Sequence, residues 1–190
     1  MDANEALISP EGQKELLGIA RESVEGAIRG EAPPEVDLED TELQPHCGAF
    51  VTLTTHGQLR GCLGCFTADE PIYKVVNRMA AESATQDPRF AGMRLGPSDL
   101  KDLRVEISVL SPMRRVRDPL REVELGRHGI YIRRGWQAGT YLPQVATEHH
   151  MDLEEFLSSC CAHKAGLAPD AWKDPRTEVY VYSAQVFGEE

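Results

Sequence analysis

The chain has 190 residues, 41% hydrophobic and 27% charged, enough to bury a core without disulfides. Its formal net charge is −11, and residues 1–45 hold 12 acids against 3 bases, leaving 19 against 17 in the remainder. That balance argues against a broadly basic nucleic-acid surface, and no apolar run approaches the roughly 18 residues of a membrane helix.

The start, "MDANEALISPEGQKELLG", is acidic and lacks the basic and apolar regions of a secretory signal. Five cysteines, an odd number spread thinly, fit reduced thiols rather than a disulfide framework. A cytoplasmic protein with no membrane segment is expected.

In chain order, "SPEGQKELLGIARESVEGAIRG" predicts a helix, with Ser9 as N-cap, Pro10 at the first position and Gly30 as the stop. Leu16, Leu17, Ala20, Val24, Ala27 and Ile28 form its apolar face. "EAPPEVDLEDTELQPHCG", rich in proline and acid, reads as a linker. The expected organisation is one domain over 1–190, with an acidic helix and linker at 1–45 and the main body at 46–190.

"GAFVTLTTHGQLRGCLGC" predicts a hairpin turning at His56-Gly57. "DEPIYKVVNRMAAESATQDPRF" predicts a helix started by Asp69 or its neighbours and stopped by "DPRF". Ile72, Val75, Val76, Met79, Ala80 and Ser83 make its buried stripe. "LRVEISVLSP" alternates, with Val105, Ile107 and Val109 on one face and Arg104, Glu106 and Ser108 on the other. "MRRVRDPLREVELGR" interleaves bases with acids and reads as a salt-bridged loop or an anion-binding rim.

"GIYIRRGWQAGTYLP" predicts a second hairpin. "MDLEEFLSSCCAHKAGL" predicts a helix capped by Asp152 and stopped at Gly166, and "TEVYVYSAQVF" a final strand. Antiparallel hairpins mixed with three helices give an α+β fold, not a doubly wound one.

The stretch "LRGCLGC" holds most of the chemistry. Its C-x-x-C spacing is half of a zinc site, but Cys47, His46 and His56 complete no recognised zinc pattern. In an extended strand Cys62 and Cys65 point to opposite faces and cannot chelate one ion or pair as a disulfide. No metal is assigned. No nucleotide-binding, hydrolase or deaminase motif is present, and no cofactor is assigned.

Alternation puts Cys62 on one face with Arg60, whose guanidinium favours the reactive thiolate. Gly61 and Gly64 leave room for a ligand to approach the backbone. The competing reading is a small buried hydrophobe, and these residues alone leave both open. Cys160 and Cys161 lie on or beside an apolar helical stripe and read as core. Lys164 reads as a cleft-edge cation or a helix-end charge, and Glu106 and Gln144 as further polar candidates.

Five stretches taken together resemble a known family. They are "GAFVTL", "LRGCLGC", "DPRF" followed by "LRVEISVLSP", "LPQVA", and "FLSSCCAHKAGL" with Trp172 after it. The chain is similar to the AMMECR domain family, protein A of the AmmeMemoRadiSam system, from about Gly48 to Phe187. The family's L-R-G-C-I-G is matched by Leu59 to Gly64 with Leu63 in place of isoleucine. A tryptophan usual near the last helix is Met151 here.

The resemblance implies an α+β domain with a mostly antiparallel sheet and flanking helices, in two lobes with a cleft. It implies Memo-type and radical SAM partner proteins but no established reaction. It keeps Cys62 and leaves Cys65 outside the hallmark. The functional expectation is an enzyme or enzyme subunit for a small polar molecule. Cys62 would be the nucleophile, Glu106 and Lys164 would assist catalysis, and Arg60, Gly61, Gly64 and Gln144 would bind ligand. The alternative is a non-catalytic module docking to a partner protein, with nucleic-acid binding as a third reading.

Overall fold

Ser9 and Pro10 start the first helix, α1 (Pro10–Arg29). The Ser9 hydroxyl accepts from the Gly12 N–H at 3.2 Å, and Gly30 ends the helix in the left-handed region. The computed structural model describes residues 8–38 and 42–189. It divides into two compact units, Met1–Leu110 with Gln185–Glu190, and Ser111–Ala184.

In the first unit, strands β1 (Ala49–Thr55), β2 (Gln58–Cys65), β3 (Leu103–Leu110) and β8 (Ala184–Gly188) form a sheet in the order β2-β1-β3-β8. His56 and Gly57, both at positive φ, make the two-residue turn that joins β1 to β2. Helix α2 (Ile72–Thr85) packs against β1 and β2, and α1 packs on α2 and β3. The α2 N-cap is Pro71, not Asp69, and no side chain caps it.

Leu16, Ile19, Ala20 and Val24 from α1 join Val51, Leu53, Val75, Val76, Ile107 and Val109 in one buried cluster. Each fully buried aliphatic side chain contributes about 2 kcal/mol, against less than about 1 kcal/mol for an exposed ion pair. The core therefore holds α1 in this unit. Val36 and Leu38 of the linker pack on the same core, whereas its residues 39–41 lie outside the described residues.

In the second unit, β4 (Arg114–Val116), β5 (Gly129–Arg134), β6 (Gln137–Tyr141) and β7 (Glu178–Tyr182) form a sheet in the order β4-β7-β5-β6. The short helices α3 (Pro119–Glu122) and α4 (Pro143–Glu148) join α5 (Leu153–Cys160), whose Asp152 and Glu155 cap each other reciprocally. The last helix does not stay α to Gly166, because Cys161–Ala165 form a π turn. Phe156, Leu157, Cys160, Cys161, Trp172, Val179 and Val181 centre the core, and Met151 packs on it.

The arginine-rich loop is salt-bridged, as its interleaved charges predict: Arg114 meets Glu122 at 2.7 Å and Arg127 meets Glu124 at 2.8 Å. The final "TEVYVYSAQVF" is two strands in two sheets, not one, and it breaks at Ser183. Ser183 and Ser111 exchange hydrogen bonds of 2.9 Å there. The fold is α+β with two antiparallel four-stranded sheets, and no helix among the described residues is long and apolar enough to cross a membrane.

Candidate functional site

The β1–β2 hairpin decides where Cys62 points. Counting back from the His56-Gly57 turn, a regular ladder would set Cys62 opposite Val51, on the face covered by the helices. The register instead slips between Leu53 and Thr54: Leu53 faces Gly61, and Thr54 faces Leu59. Arg60 is the extra residue of a β-bulge. A one-residue slip turns every following side chain over. Cys62 consequently pairs with Thr52, and Cys65 pairs with Ala49 and packs on the first core. The two thiols lie on opposite faces.

The bulge also separates Arg60 from Cys62. Arg60 reaches the Thr55 hydroxyl at 3.0 Å, the Met93 carbonyl at 3.2 Å and Asp99 at 3.5 Å. The guanidinium beside Cys62 is that of Arg89, which donates to the Cys62 carbonyl at 3.0 Å. Arg89 is held by Asp87 at 2.6 Å, and the Asp87 carboxylate also accepts from the Cys62 N–H at 2.9 Å and the Arg89 N–H at 3.1 Å. Arg89 holds the Asp87 carboxyl down to about 2, the N–H groups of Cys62 and Arg89 act in the same direction, and burial opposes them. "DPRF" thus does more than stop α2. Its aspartate caps a short turn (Pro88–Phe90) that aims Arg89 at β2.

Thr52, which sequence reasoning passed over, donates its hydroxyl to the Cys62 sulfur at 3.3 Å. Thr52 also pairs with Glu106 on β3. Cys62, Thr52 and Glu106 therefore form one row across three strands, on the face turned away from α1 and α2. Strands lie about 4.8 Å apart, so Glu106 and Cys62 stand roughly 10 Å apart at the backbone. They do not touch, but a small molecule lying over Thr52 would meet both. Arg104 shares this face through its pairing with Thr54, and its guanidinium donates to the Leu103 carbonyl at 3.1 Å.

Gly61 and Gly64 face the protein's own atoms. A Cβ at Gly61 would collide with the Ser83 carbonyl of α2, and one at Gly64 with the Ala49 carbonyl and the Phe50 ring. Ser83 ties the same helix to the hairpin: its hydroxyl accepts from the Leu63 N–H and donates to the Val51 carbonyl, both at 2.9 Å.

Lys164 and Gln144 belong to the second unit. Lys164 lies on the π turn, its ammonium 5.7 Å from the centre of the Tyr141 ring. Gln144 is exposed in α4, where its carbonyl accepts from Thr147. Burial pushes the Cys160 thiol up to about 12 and raises Cys161, and both sit in the second core. Burial likewise pushes Cys47 up to about 11. Among the described residues no group of three or more His, Cys, Asp or Glu side chains is placed to hold a metal ion.

The AMMECR1 family model matches residues 17–187 of this chain. The chain belongs to the AMMECR1 family. It is 38% identical over 182 residues to Protein MK0488 of Methanopyrus kandleri, covering 92% of this chain and 87% of that one. It is 41% identical over 197 residues to a protein of Methanothermobacter thermautotrophicus, covering 97% and 98%. Its fold is similar to the crystal structure of the uncharacterized protein PH0010 from Pyrococcus horikoshii. That match has a TM-score of 0.83 at 34% identity and covers 97% of this chain and 95% of the other. In this AMMECR1 chain, "LRGCLG" is a bulged strand that faces Cys62 to Thr52 and packs Gly61 under α2.

Proposed function

We propose that this AMMECR1 protein is an enzyme, or a subunit of one, that handles a small polar molecule on the Cys62 face of its first sheet, with Cys62 as the nucleophile. The observation that carries this reading is the Thr52 hydroxyl donating to the Cys62 sulfur while Arg89 sits on the carbonyl of the same residue. The hydroxyl on the sulfur and the guanidinium on the same residue give Cys62 a polar, cation-bearing setting. Glu106, across Thr52, would move a proton on a molecule that reaches both. Arg104 offers that molecule an anion contact on the same face.

Brief iodoacetamide treatment near neutral pH with peptide mapping tests this. Cys62 should be modified first, while Cys47, Cys160 and Cys161 stay intact because burial holds their thiols up. Arg89→Ala should slow Cys62 modification by about 5-fold or more. Modification that spares Cys62, or an unchanged rate without Arg89, sinks the nucleophile.

A second reading is a non-catalytic module that docks to a Memo-type or radical SAM partner protein. Trp136 favours it, standing 91% exposed in the turn between β5 and β6. An exposed tryptophan is a common interface anchor. If co-purification with such a partner is lost in Trp136→Ala and kept in Cys62→Ser, that reading prevails.

A further inference from the structure

The second unit contains a cavity of ≈ 590 Å³ that the Cys62 site does not use. Its lining includes three cations, Arg115, Arg117 and Lys173, against one acid, Asp174. Asp174 is already engaged by Arg176 at 2.7 Å and Arg134 at 3.0 Å. Arg115 pairs with Glu178 at 3.3 Å and Lys173 with Glu154 at 3.3 Å, whereas Arg117 makes no ion pair among the described residues. The cavity therefore keeps an unbalanced positive charge.

A separate observation points the same way. Thr177 lines the cavity and is 7% exposed, yet its hydroxyl meets no hydrogen-bond partner among the described residues. A buried hydroxyl without a partner is costly, and native proteins seldom keep one without a reason. Trp172, 6% exposed, also lines the cavity, with its indole N–H tied to Ser158 at 3.0 Å. An apolar and aromatic wall thus stands beside a cluster of donors.

We propose that this cavity binds a phosphorylated small molecule, with Arg117 and Arg115 holding the phosphate, the now shielded Thr177 hydroxyl turning about its Cα–Cβ bond to donate to it, and the organic part lying against Trp172. A phosphate offers several acceptor oxygens that match the planar fork of arginine, and Arg115 in β4 and Arg117 at the bend just past its end both line the cavity. The volume falls in the range of small-molecule sites and exceeds what a bare phosphate fills. The assignment stands whether or not Cys62 is a nucleophile.

The chain has two tryptophans, so Trp136→Phe leaves Trp172 as the reporter. Its emission is titrated with inorganic phosphate, pyrophosphate and AMP at constant ionic strength, with acetate as the carboxylate control. AMP should give a saturable change with a Kd of about 1 mM or tighter, and inorganic phosphate a weaker one. Arg117→Ala in the same background should weaken AMP binding by about 10-fold or more. Thr177→Val should also weaken it, while raising the Tm of the ligand-free protein by about 2–4 °C because the unmet hydroxyl is gone. A purely structural threonine would not give both changes. No saturable response to any of the three phosphates, an equal response to acetate, or a response that survives both substitutions overturns the site.

Discussion

Gly61→Ala should lower the Tm by about 6–12 °C, from a cost of about 3 kcal/mol. The new Cβ would point at the Ser83 carbonyl of α2, a backbone atom that cannot rotate away. Either the helix lifts off the hairpin or the strand shifts. In both cases the hydrogen bonds that Ser83 makes to Leu63 and Val51 are disturbed. Gly18→Ala is the matched control. That glycine lies on the solvent side of α1 with nothing within 4 Å of an added Cβ, so alanine should stabilise by about 0.5–1 kcal/mol through helix propensity. Thermal melts of the two variants check the pair, and equal Tm values would show that α2 does not need the glycine.

Asp87→Ala should cost about 3 kcal/mol at neutral pH, because the carboxylate serves two backbone N–H groups as well as Arg89. The ion pair alone would not suffice: Arg89 is 55% exposed, so water and salt screen it. Asp87→Asn keeps an acceptor and loses the charge, and should cost less than alanine. The carboxyl titrates at about 2 in the folded protein, below its ordinary value of 3.8. Its stabilisation is therefore complete above about 4 and fades as the pH falls towards about 2. The advantage of the parent over Asp87→Asn should close across that window in urea melts. A gap that stays constant would contradict the ionised Asp87.

Local signals made most elements legible. Ser9-Pro10 and Gly30 bound α1, and the alternation of Val105, Ile107 and Val109 set the buried face of β3. What escaped depended on residues far along the chain. The last stretch splits at Ser183 because its backbone meets Ser111, a partner 72 residues away that no local pattern shows.

The site was half legible. The family hallmark singled out Cys62, and alternation separated it from Cys65. Alternation also placed Arg60 beside Cys62, and there the bulge intervened: Arg60 is the unpaired residue and Arg89 takes its place. Two-residue turns fix register but do not announce bulges, so the face of Cys62 followed only from the observed pairing. The glycines were read as room for a ligand, whereas Ser83 and Phe50 fill that room. Thr52 was visible as a β-branched strand residue and became chemical only through its pairing with Cys62 and Glu106.

Under the proposed function, folding activates Cys62 rather than burying it. The most direct measurement is the alkylation rate of Cys62 near neutral pH in the folded protein, compared with the same residue in the urea-unfolded chain. Activation by Thr52 and Arg89 predicts a folded rate that exceeds the unfolded one and falls in Arg89→Ala. A structural thiol would be shielded by folding, and a folded rate below the unfolded one would contradict the nucleophile.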